Sequence, residues 1–254
     1  MDITKCLLGK RAAKKDKRTL QLKDFLLKVT PPPAANWFKD QTSFGEMGND
    51  VLGDCTCAAV GHAVQIATLN TPDGEVTPAD SAVLSLYENA CGYVPGDPST
   101  DQGGVIIDVL NYVRKNLFDT HKLWAYADPD PADLAHVQQA IAVFGVVDIG
   151  LQLPVTAQSQ VGGIWDVVGD PNSDPNSQPG SWGGHSVSCG AYSQVDDTIT
   201  CVTWGALQKM TSKFWLAYCD EAHALLLRAW MERFGAQSRV QLGAMEKALQ
   251  AVSG

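Results

Sequence analysis

The sequence predicts an α+β fold in which a helical lobe precedes a lobe rich in strands. The chain has 254 residues, of which 45% are apolar, so it can bury a substantial core without disulfides. Helical periodicity dominates from residue 55 to about residue 144, and strand-like runs dominate from about 146 to 218. Helices and strands segregated in this order indicate two lobes that face each other.

Four helices are predicted in the first half of the chain. The first begins at Cys55 and carries a small apolar face, which suits a helix buried in the middle of a domain. The second opens at Thr77-Pro78-Ala79-Asp80, which combines an N-cap, a first-turn proline and an acidic residue. The predicted spans are 55–69, about 77–91, about 104–117 and, after a cap at 130–133, up to residue 144.

Strands are predicted in the second half, because runs of β-branched and aromatic residues replace the helical pattern. The predicted strands are 146–151, 185–192, 198–204 and 213–218, and a further helix is predicted from about 220 to 248. The loop between residues 166 and 181 is dense in Asp, Asn, Ser, Pro and Gly and is expected to be exposed.

The N-terminal segment differs in charge from the rest of the chain. Residues 1–30 hold nine Lys/Arg and three Asp/Glu, a balance of +6, so the total of −9 leaves −15 for residues 31–254. Three prolines, Pro31 to Pro33, form a stiff spacer after this basic arm. We therefore divide the chain into an arm and spacer (1–35), a main domain (36–220, with lobes at about 36–120 and 121–220) and a C-terminal helical extension (221–254).

The basic arm has two interpretations. It folds back along the acidic body as a solvated arm, or it docks on an acidic protein partner or nucleic acid. No aromatic residue is interleaved with the basic residues from Lys10 to Arg18, so nucleic-acid recognition is not expected. The start of the chain has only the two-residue apolar run Leu7-Leu8 before the basic stretch, so we expect no signal peptide or membrane span and a cytoplasmic location, or a virion location if a phage encodes the chain.

Cys55 is the candidate nucleophile among seven cysteines. The odd count and the apolar surroundings of several of them indicate buried free thiols, and we expect no metal and no cofactor. Cys55 opens the first helix, where the macrodipole lowers a thiol pKa, and Asn49 lies six residues before it. Cys57 would lie about 200° around the same helix and is assigned to the core.

Three segments together carry a resemblance to a known family. They are Asn49-x5-Cys55, with Gly53 just before the cysteine and a helix after it, then Gly184-His185-Ser186-Val187, and then Thr203-Trp204-Gly205. In order and spacing the chain resembles the papain-like cysteine peptidase superfamily over most of residues 36–220. The resemblance implies a two-lobe fold, with a helical lobe, an antiparallel sheet lobe and the active-site cleft between them.

The resemblance also implies roles for individual residues. Cys55 would be the nucleophile and His185 the general base, while Asn49 would stand where the family has its oxyanion-binding glutamine. Trp204 matches the indole that shields the base. Alignment on Trp204 puts Val202 at the position of the family's histidine-orienting asparagine. Thr203 is the nearest polar side chain, but on a regular strand it would point away from the face shared by its two neighbours.

Two functions follow as hypotheses. The first is hydrolysis of a peptide or isopeptide bond in a peptide or protein substrate by Cys55 and His185, with cell-wall peptides as one possible substrate. The second is a structural or adaptor protein that keeps the fold without turnover, for instance in a phage or bacterial assembly, and that uses its basic arm and C-terminal helix to join it.

Overall fold

The computed structural model describes residues 6–16, 19–26 and 30–234. Its α-helices are α1 (Cys55–Leu69), α2 (Asp80–Cys91), α3 (Ile106–Lys115), α4 (Leu134–Phe144), α5 (Ser212–Tyr218) and α6 (Arg228–Phe234). Its strands are β1 (Leu20–Gln21), β2 (Ala34–Asn36), β3 (Ser43–Gly45), β4 (Leu123–Asp128), β5 (Val147–Leu153), β6 (Ile164–Trp165), β7 (Gly183–Ser193), β8 (Thr198–Thr203), β9 (Gly205–Thr211) and β10 (Cys219–Leu227). Short 3-10 helices lie at Leu22–Asp24, Pro98–Thr100 and Val155–Gln160.

All ten strands join one sheet, ordered β1-β4-β10-β5-β7-β8-β9-β3, with β2 beside β7 and β6 beside β9. The β1–β4 and β6–β9 pairs are parallel and the other pairs are antiparallel. Strand β7 lies near the middle, and residues 185–192 are buried without interruption. Both faces of this strand are therefore covered, which explains why its sequence lacks the alternation of a half-exposed strand.

Two hydrophobic cores lie around the sheet. One joins α1, α2 and α3 to strand residues such as Val202 and Leu225. The other joins α4 and α5 to strand residues such as Val187 and Ile149. Val187 and Val202 lie on neighbouring strands but in different cores, because side chains of opposite parity point to opposite faces of a sheet.

Helix α1 packs directly against β7, which fixes the position of Cys55 relative to the strand that carries His185. Fourteen of its fifteen residues are buried. The hydroxyl of Ser188 on β7 donates to the carbonyl of Ala59 on α1 at 2.8 Å. Elsewhere on the helix, the backbone of Gly61 packs closely against Met47, because a Cβ at position 61 would lie 2.3 Å from the Met47 sulfur. The helix is therefore held on both sides.

The predicted α+β class and the order of lobes are confirmed. Four helices lie where the sequence predicts them, with ends that differ from the prediction by no more than three residues, and the Asp133 side chain caps α4 by accepting from the His136 amide at 3.1 Å. No helix in the described ranges is both long and apolar enough to span a bilayer.

Two predicted elements are wrong. Residues 213–218 belong to helix α5 rather than a strand, since Thr211 caps the helix by accepting from the Phe214 amide at 3.1 Å. Cys219–Leu227 forms strand β10 rather than the start of a helix. Its Ala- and Leu-rich sequence favours a helix, but β10 lies between β4 and β5 and pairs with both, so tertiary context overrides propensity. The rest of the predicted C-terminal helix, beyond residue 234, lies outside the described residues.

Candidate active site

Cys55 is the first residue of α1 and its side chain is almost completely buried. The backbone N–H groups of Ser186 on β7 and of Gly9 in the N-terminal arm hydrogen-bond its thiol. Cys57 is fully buried in the helical core, as predicted, with its sulfur 4.0 Å from that of Cys91. Cys55 is therefore the cysteine of α1 that lies beside the His185 segment.

His185 is oriented by the end of strand β8. Its Nε2 lies 2.7 Å from the Oγ1 of Thr203, while its Nδ1 has no hydrogen-bond partner among the described residues. If Nε2 carries the proton and donates it to Thr203, Nδ1 is free to accept one. The ring of Trp204 stacks on the imidazole, with ring centres 4.5 Å apart and planes 13° apart.

The pairing of β7 with β8 explains why Thr203 reaches His185. Ser188 lies opposite Val202, so Thr203 falls on the other face of the sheet, which is also the face of His185. Trp204 departs from strand geometry with φ +43° and Gly205 follows with φ +74°. This turn brings the indole onto the same face. Thr203 does point away from Val202, but the expectation that Trp204 shares the face of Val202 is wrong, because Trp204 does not continue the strand.

Asn49 lies in the loop before Cys55, but its side chain is engaged within that loop. Its Nδ2 donates to the carbonyl of Leu52 at 3.0 Å, and the amide also hydrogen-bonds the carboxyl of Asp54. Asp54 is a buried residue that the sequence reasoning missed; burial raises its pKa to about 8, and its Oδ1 has no partner among the described residues. An acidic residue directly before the nucleophile was the available signal.

The N-terminal arm runs past Cys55 through the cleft between Gly104 and Gly184 of β7. Its backbone hydrogen-bonds both walls: Lys10 N–H donates to Gly184 O at 3.0 Å, and Gly104 N–H donates to Gly9 O at 2.8 Å. The indole of Trp204 also donates to the Leu7 carbonyl, at 3.2 Å. The segment from Leu7 to Lys10 is therefore bound in the site by its main chain.

Glycine is required where the arm crosses the nucleophile. A Cβ on Gly9 would lie 1.7 Å from the Gly53 carbonyl oxygen, and a Cβ on Gly103 would lie 1.8 Å from the Gly9 oxygen. No neighbour can absorb such overlaps, because the atoms are backbone. The register of the arm is therefore set by Gly9.

Basic residues of the arm find acidic partners in the body of the same chain. The ammonium group of Lys10 lies 2.9 Å from the carboxylates of both Asp220 and Glu221, and that of Lys14 lies 2.6 Å from Asp108. The Lys10 side chain is completely buried, whereas that of Lys14 is more than half exposed. The first pair is therefore shielded from solvent and the second is not.

Burial governs the protonation of the candidate dyad. It raises the pKa of the Cys55 thiol to about 12, outweighing the Ser186 and Gly9 amides that lower it. It also lowers the pKa of His185 to about 3, with His62 adding to the effect. The sequence-based expectation of a lowered thiol pKa at a helix N-terminus is thus overturned in this closed arrangement, where thiol and imidazole are both neutral at pH 7.

Structure comparisons identify the fold. Xylellain, a cysteine protease from Xylella fastidiosa, superposes with a TM-score of 0.65 at 16% identity over 87% of this chain and 96% of its own. The chain has the papain-like fold. Digestive procathepsin L 3 of Tenebrio molitor matches with a TM-score of 0.58 at 11% identity, covering 88% of this chain and 77% of its own. The proform of the ragweed pollen cysteine protease Amb a 11 has a TM-score of 0.53 at 14% identity, covering 78% and 67%.

The comparison of structures finds relatives with this fold, whereas the comparisons of sequence find none. No protein-family model matches the chain, and no curated protein matches its sequence. Within this fold, three of the predicted site residues are in contact, because Thr203 hydrogen-bonds His185 and Trp204 stacks on it. Cys55 contacts the backbone of Ser186, the residue after His185. Asn49 lies in the loop before Cys55.

Proposed function

We propose that this chain is a cysteine peptidase that is held latent by its own N-terminal arm. It hydrolyses a peptide or isopeptide bond in a peptide or protein substrate, with Cys55 as nucleophile and His185 as general base. The observation that carries this proposal is the fixed imidazole, which Thr203 orients and Trp204 covers while Nδ1 has no partner among the described residues. In a histidine with only a structural role in the core, both ring nitrogens are expected to be hydrogen-bonded.

The proposed catalytic steps use Cys55 and His185 in turn. His185 Nδ1 takes the thiol proton of Cys55, and the thiolate attacks the substrate carbonyl carbon. Collapse of the tetrahedral intermediate breaks the C–N bond as the imidazolium protonates the leaving amine. A water that His185 deprotonates then hydrolyses the thioester and restores the thiol.

The oxyanion of this intermediate needs donors close to Cys55. The Cys55 backbone N–H at the start of α1 is one, favoured by the helix dipole. We assign the second to Asn49, whose amide would exchange a contact with Leu52 or Asp54 for the oxyanion.

The arm provides the latency. The arm lies against the Cys55 thiol and hydrogen-bonds Gly104 and Gly184 on the two walls of the cleft. A substrate therefore cannot enter until the arm leaves. Two of the similar structures are of proforms, procathepsin L 3 and the Amb a 11 proform. Departure of the arm would return water to Cys55 and His185, which lowers the thiol pKa and raises that of the imidazole.

A full-length Gly9→Ala variant tests the function, because the added Cβ collides with Gly53 and expels the arm. We expect this variant to cleave fluorogenic peptides or labelled casein, and Cys55→Ala or His185→Ala in the same background to abolish cleavage. Ala12→Ser, at an exposed position of the arm, is the matched control and should stay latent. Absence of cleavage by the Gly9→Ala variant, once shown to be folded by circular dichroism, would reject the proposal.

The second candidate is a structural or adaptor role without turnover. The observation in its favour is that the arm is built into the site, with Lys10 buried and the cleft filled. Under this function, deletion of residues 1–30 abolishes assembly with the partner while Cys55→Ala has no effect. The opposite pattern favours the peptidase.

A further inference from the structure

The pocket that holds the Lys10 side chain has the properties of a binding site for a cationic side chain. The ammonium group contacts the carboxylates of Asp220 and Glu221, each at 2.9 Å, and donates to the Arg11 carbonyl at 3.3 Å. The side chain is fully buried, although it belongs to an arm whose next five residues are largely exposed. Burial of a lysine requires such paired acceptors, because an unpaired buried charge is strongly unfavourable.

The pocket is shaped for an unbranched alkyl chain. Gly150 forms one wall, where a Cβ would lie 2.0 Å from the Lys10 Cε. Gly184 forms the entrance, where a Cβ would lie 2.2 Å from the Lys10 carbonyl oxygen. A residue larger than glycine at position 150 would close the pocket to the lysine stem, and one at position 184 would displace the backbone of Lys10.

The charges around the pocket also require a cation. Asp220 and Glu221 contact the ammonium, and the buried Asp148 carboxyl lies on the Gly150 face of β5 with its Oδ2 unpartnered among the described residues. Of the described residues ion-paired with Asp220 or Glu221, His223 is the positive group that remains, and it is already shared between Glu221 at 3.2 Å and Asp128 at 2.6 Å. When the arm leaves, the carboxyls of this cluster therefore outnumber its cations.

The pocket lies next to the proposed nucleophile. The backbone N–H of Gly9 contacts the Cys55 thiol. The next residue, Lys10, fills the pocket with its side chain, and its backbone N–H donates to the carbonyl of Gly184, the residue before His185. A substrate peptide that hydrogen-bonds Gly104 and Gly184 in the same way would place one side chain in this pocket. That side chain would belong to the residue adjacent to the one that contacts Cys55.

We propose that this acidic pocket is the main substrate-selecting subsite and takes a lysine or arginine side chain of the peptide. The inference rests on the proposed peptidase function, for which it names the substrate class. Lys10 then acts as an occupant of the subsite in the latent state, and Asp220 and Glu221 are the specificity-determining residues.

Chemical rescue tests the pocket without turnover. Full-length Lys10→Ala is heated with n-butylammonium, which mimics the lysine side chain, or with uncharged 1-butanol. We expect butylammonium alone to raise the melting temperature of Lys10→Ala, and to have no such effect on wild type, on the matched arm variant Lys14→Ala, or on Lys10→Ala combined with Asp220→Asn and Glu221→Gln. Equal effects of the two compounds would overturn the inference.

Peptide selection separates this inference from the function on which it rests. Labelled peptides that differ only by lysine or norleucine at one position are titrated onto full-length Cys55→Ala/Gly9→Ala/Lys10→Ala, whose arm is expelled, and followed by fluorescence anisotropy. We expect at least about 10-fold tighter binding of the lysine peptide at a single position, lost with Asp220→Asn/Glu221→Gln. Equal binding of both peptides, or binding of neither, would overturn the inference and show that the pocket only anchors the arm.

The same peptides in a cleavage assay with Gly9→Ala/Lys10→Ala complete the test. A kcat/KM at least about 10-fold higher for the lysine peptide is expected. Cleavage without a lysine preference would reject the subsite and leave the peptidase intact. Lysine-selective binding without any cleavage would reject the peptidase and leave the pocket.

Discussion

Thr203 hydrogen-bonds His185, with 2.7 Å between its Oγ1 and the imidazole Nε2. The threonine thus occupies the position of an orienting partner for the base, which the alignment on Trp204 had assigned to Val202. Val202 itself points into the helical core on the opposite face of the sheet.

Replacement of Thr203 by valine should impair turnover, because it removes the acceptor and keeps the side-chain shape. In the Gly9→Ala background we expect kcat to fall about 10- to 100-fold, since the imidazole is no longer held with Nδ1 unprotonated. KM should change little. Thr203→Ser, which retains the hydroxyl, is the control; an unchanged kcat in Thr203→Val would show that Thr203 does not position the base.

Cys55 should become reactive when the arm is expelled. In wild type the thiol pKa is about 12, so iodoacetamide should label Cys55 slowly. Gly9→Ala should raise the labelling rate at Cys55 at least about 10-fold, because water returns to the thiol, while Ala12→Ser should not. Peptide mapping by mass spectrometry distinguishes Cys55 from the other cysteines, and equal rates in all three proteins would contradict the occlusion of the site.

His223 should make stability depend on pH in the alkaline range. Burial lowers its pKa, but the hydrogen bonds to Asp128 and Glu221 outweigh this and raise it to about 10, from an ordinary value of 6.5. Below pH 6.5 the folded and unfolded states are both protonated, and the stabilisation is complete. Between 6.5 and 10 only the folded state keeps the proton, so the free energy of unfolding falls as pH rises, by up to about 4 kcal/mol.

Urea unfolding of wild type and His223→Gln at several pH values checks this dependence. The variant should be less stable at pH 8, and the difference between the two proteins should shrink towards pH 10. Asp54, whose pKa burial raises to about 8, does not interact with His223, so its contribution cancels in the difference. Asp148, whose pKa burial raises to about 7, is coupled to His223, so the comparison is made above pH 8. A difference that is constant with pH would contradict the assignment.

Trp204 should contribute to the fold and to latency by separate parts of its indole. Its ring is buried between His185 and Trp165, and Trp204→Ala should lower the free energy of unfolding by about 3 kcal/mol or more. Trp204→Phe keeps a ring over the imidazole but loses the Nε1 bond to the Leu7 carbonyl. We expect it to stay folded and to label faster at Cys55 than wild type; labelling at the wild-type rate would show that this bond does not hold the arm.

Local patterns of the sequence predicted much of the fold. The N-terminal signals of α1, α2 and α4 and the strand runs at β5, β7 and β8 are short-range features, so their elements lie close to the predicted ranges. Helix α5 and strand β10 were missed because their aromatic and Ala/Leu compositions favour the other structure in isolation. The sheet that surrounds β10 decides its conformation.

The sequence by itself determined that Cys55 opens a buried helix, that His185 lies on a central strand and that a basic arm accompanies an acidic body. Only the tertiary structure decided that Thr203 orients His185, that the arm crosses Cys55 at Gly9, and that Lys10 is buried against Asp220 and Glu221. These relationships join residues far apart in the chain. They depend on strand register, on a turn with positive φ at Trp204 and on backbone clearances of a few ångströms, none of which a residue pattern encodes locally.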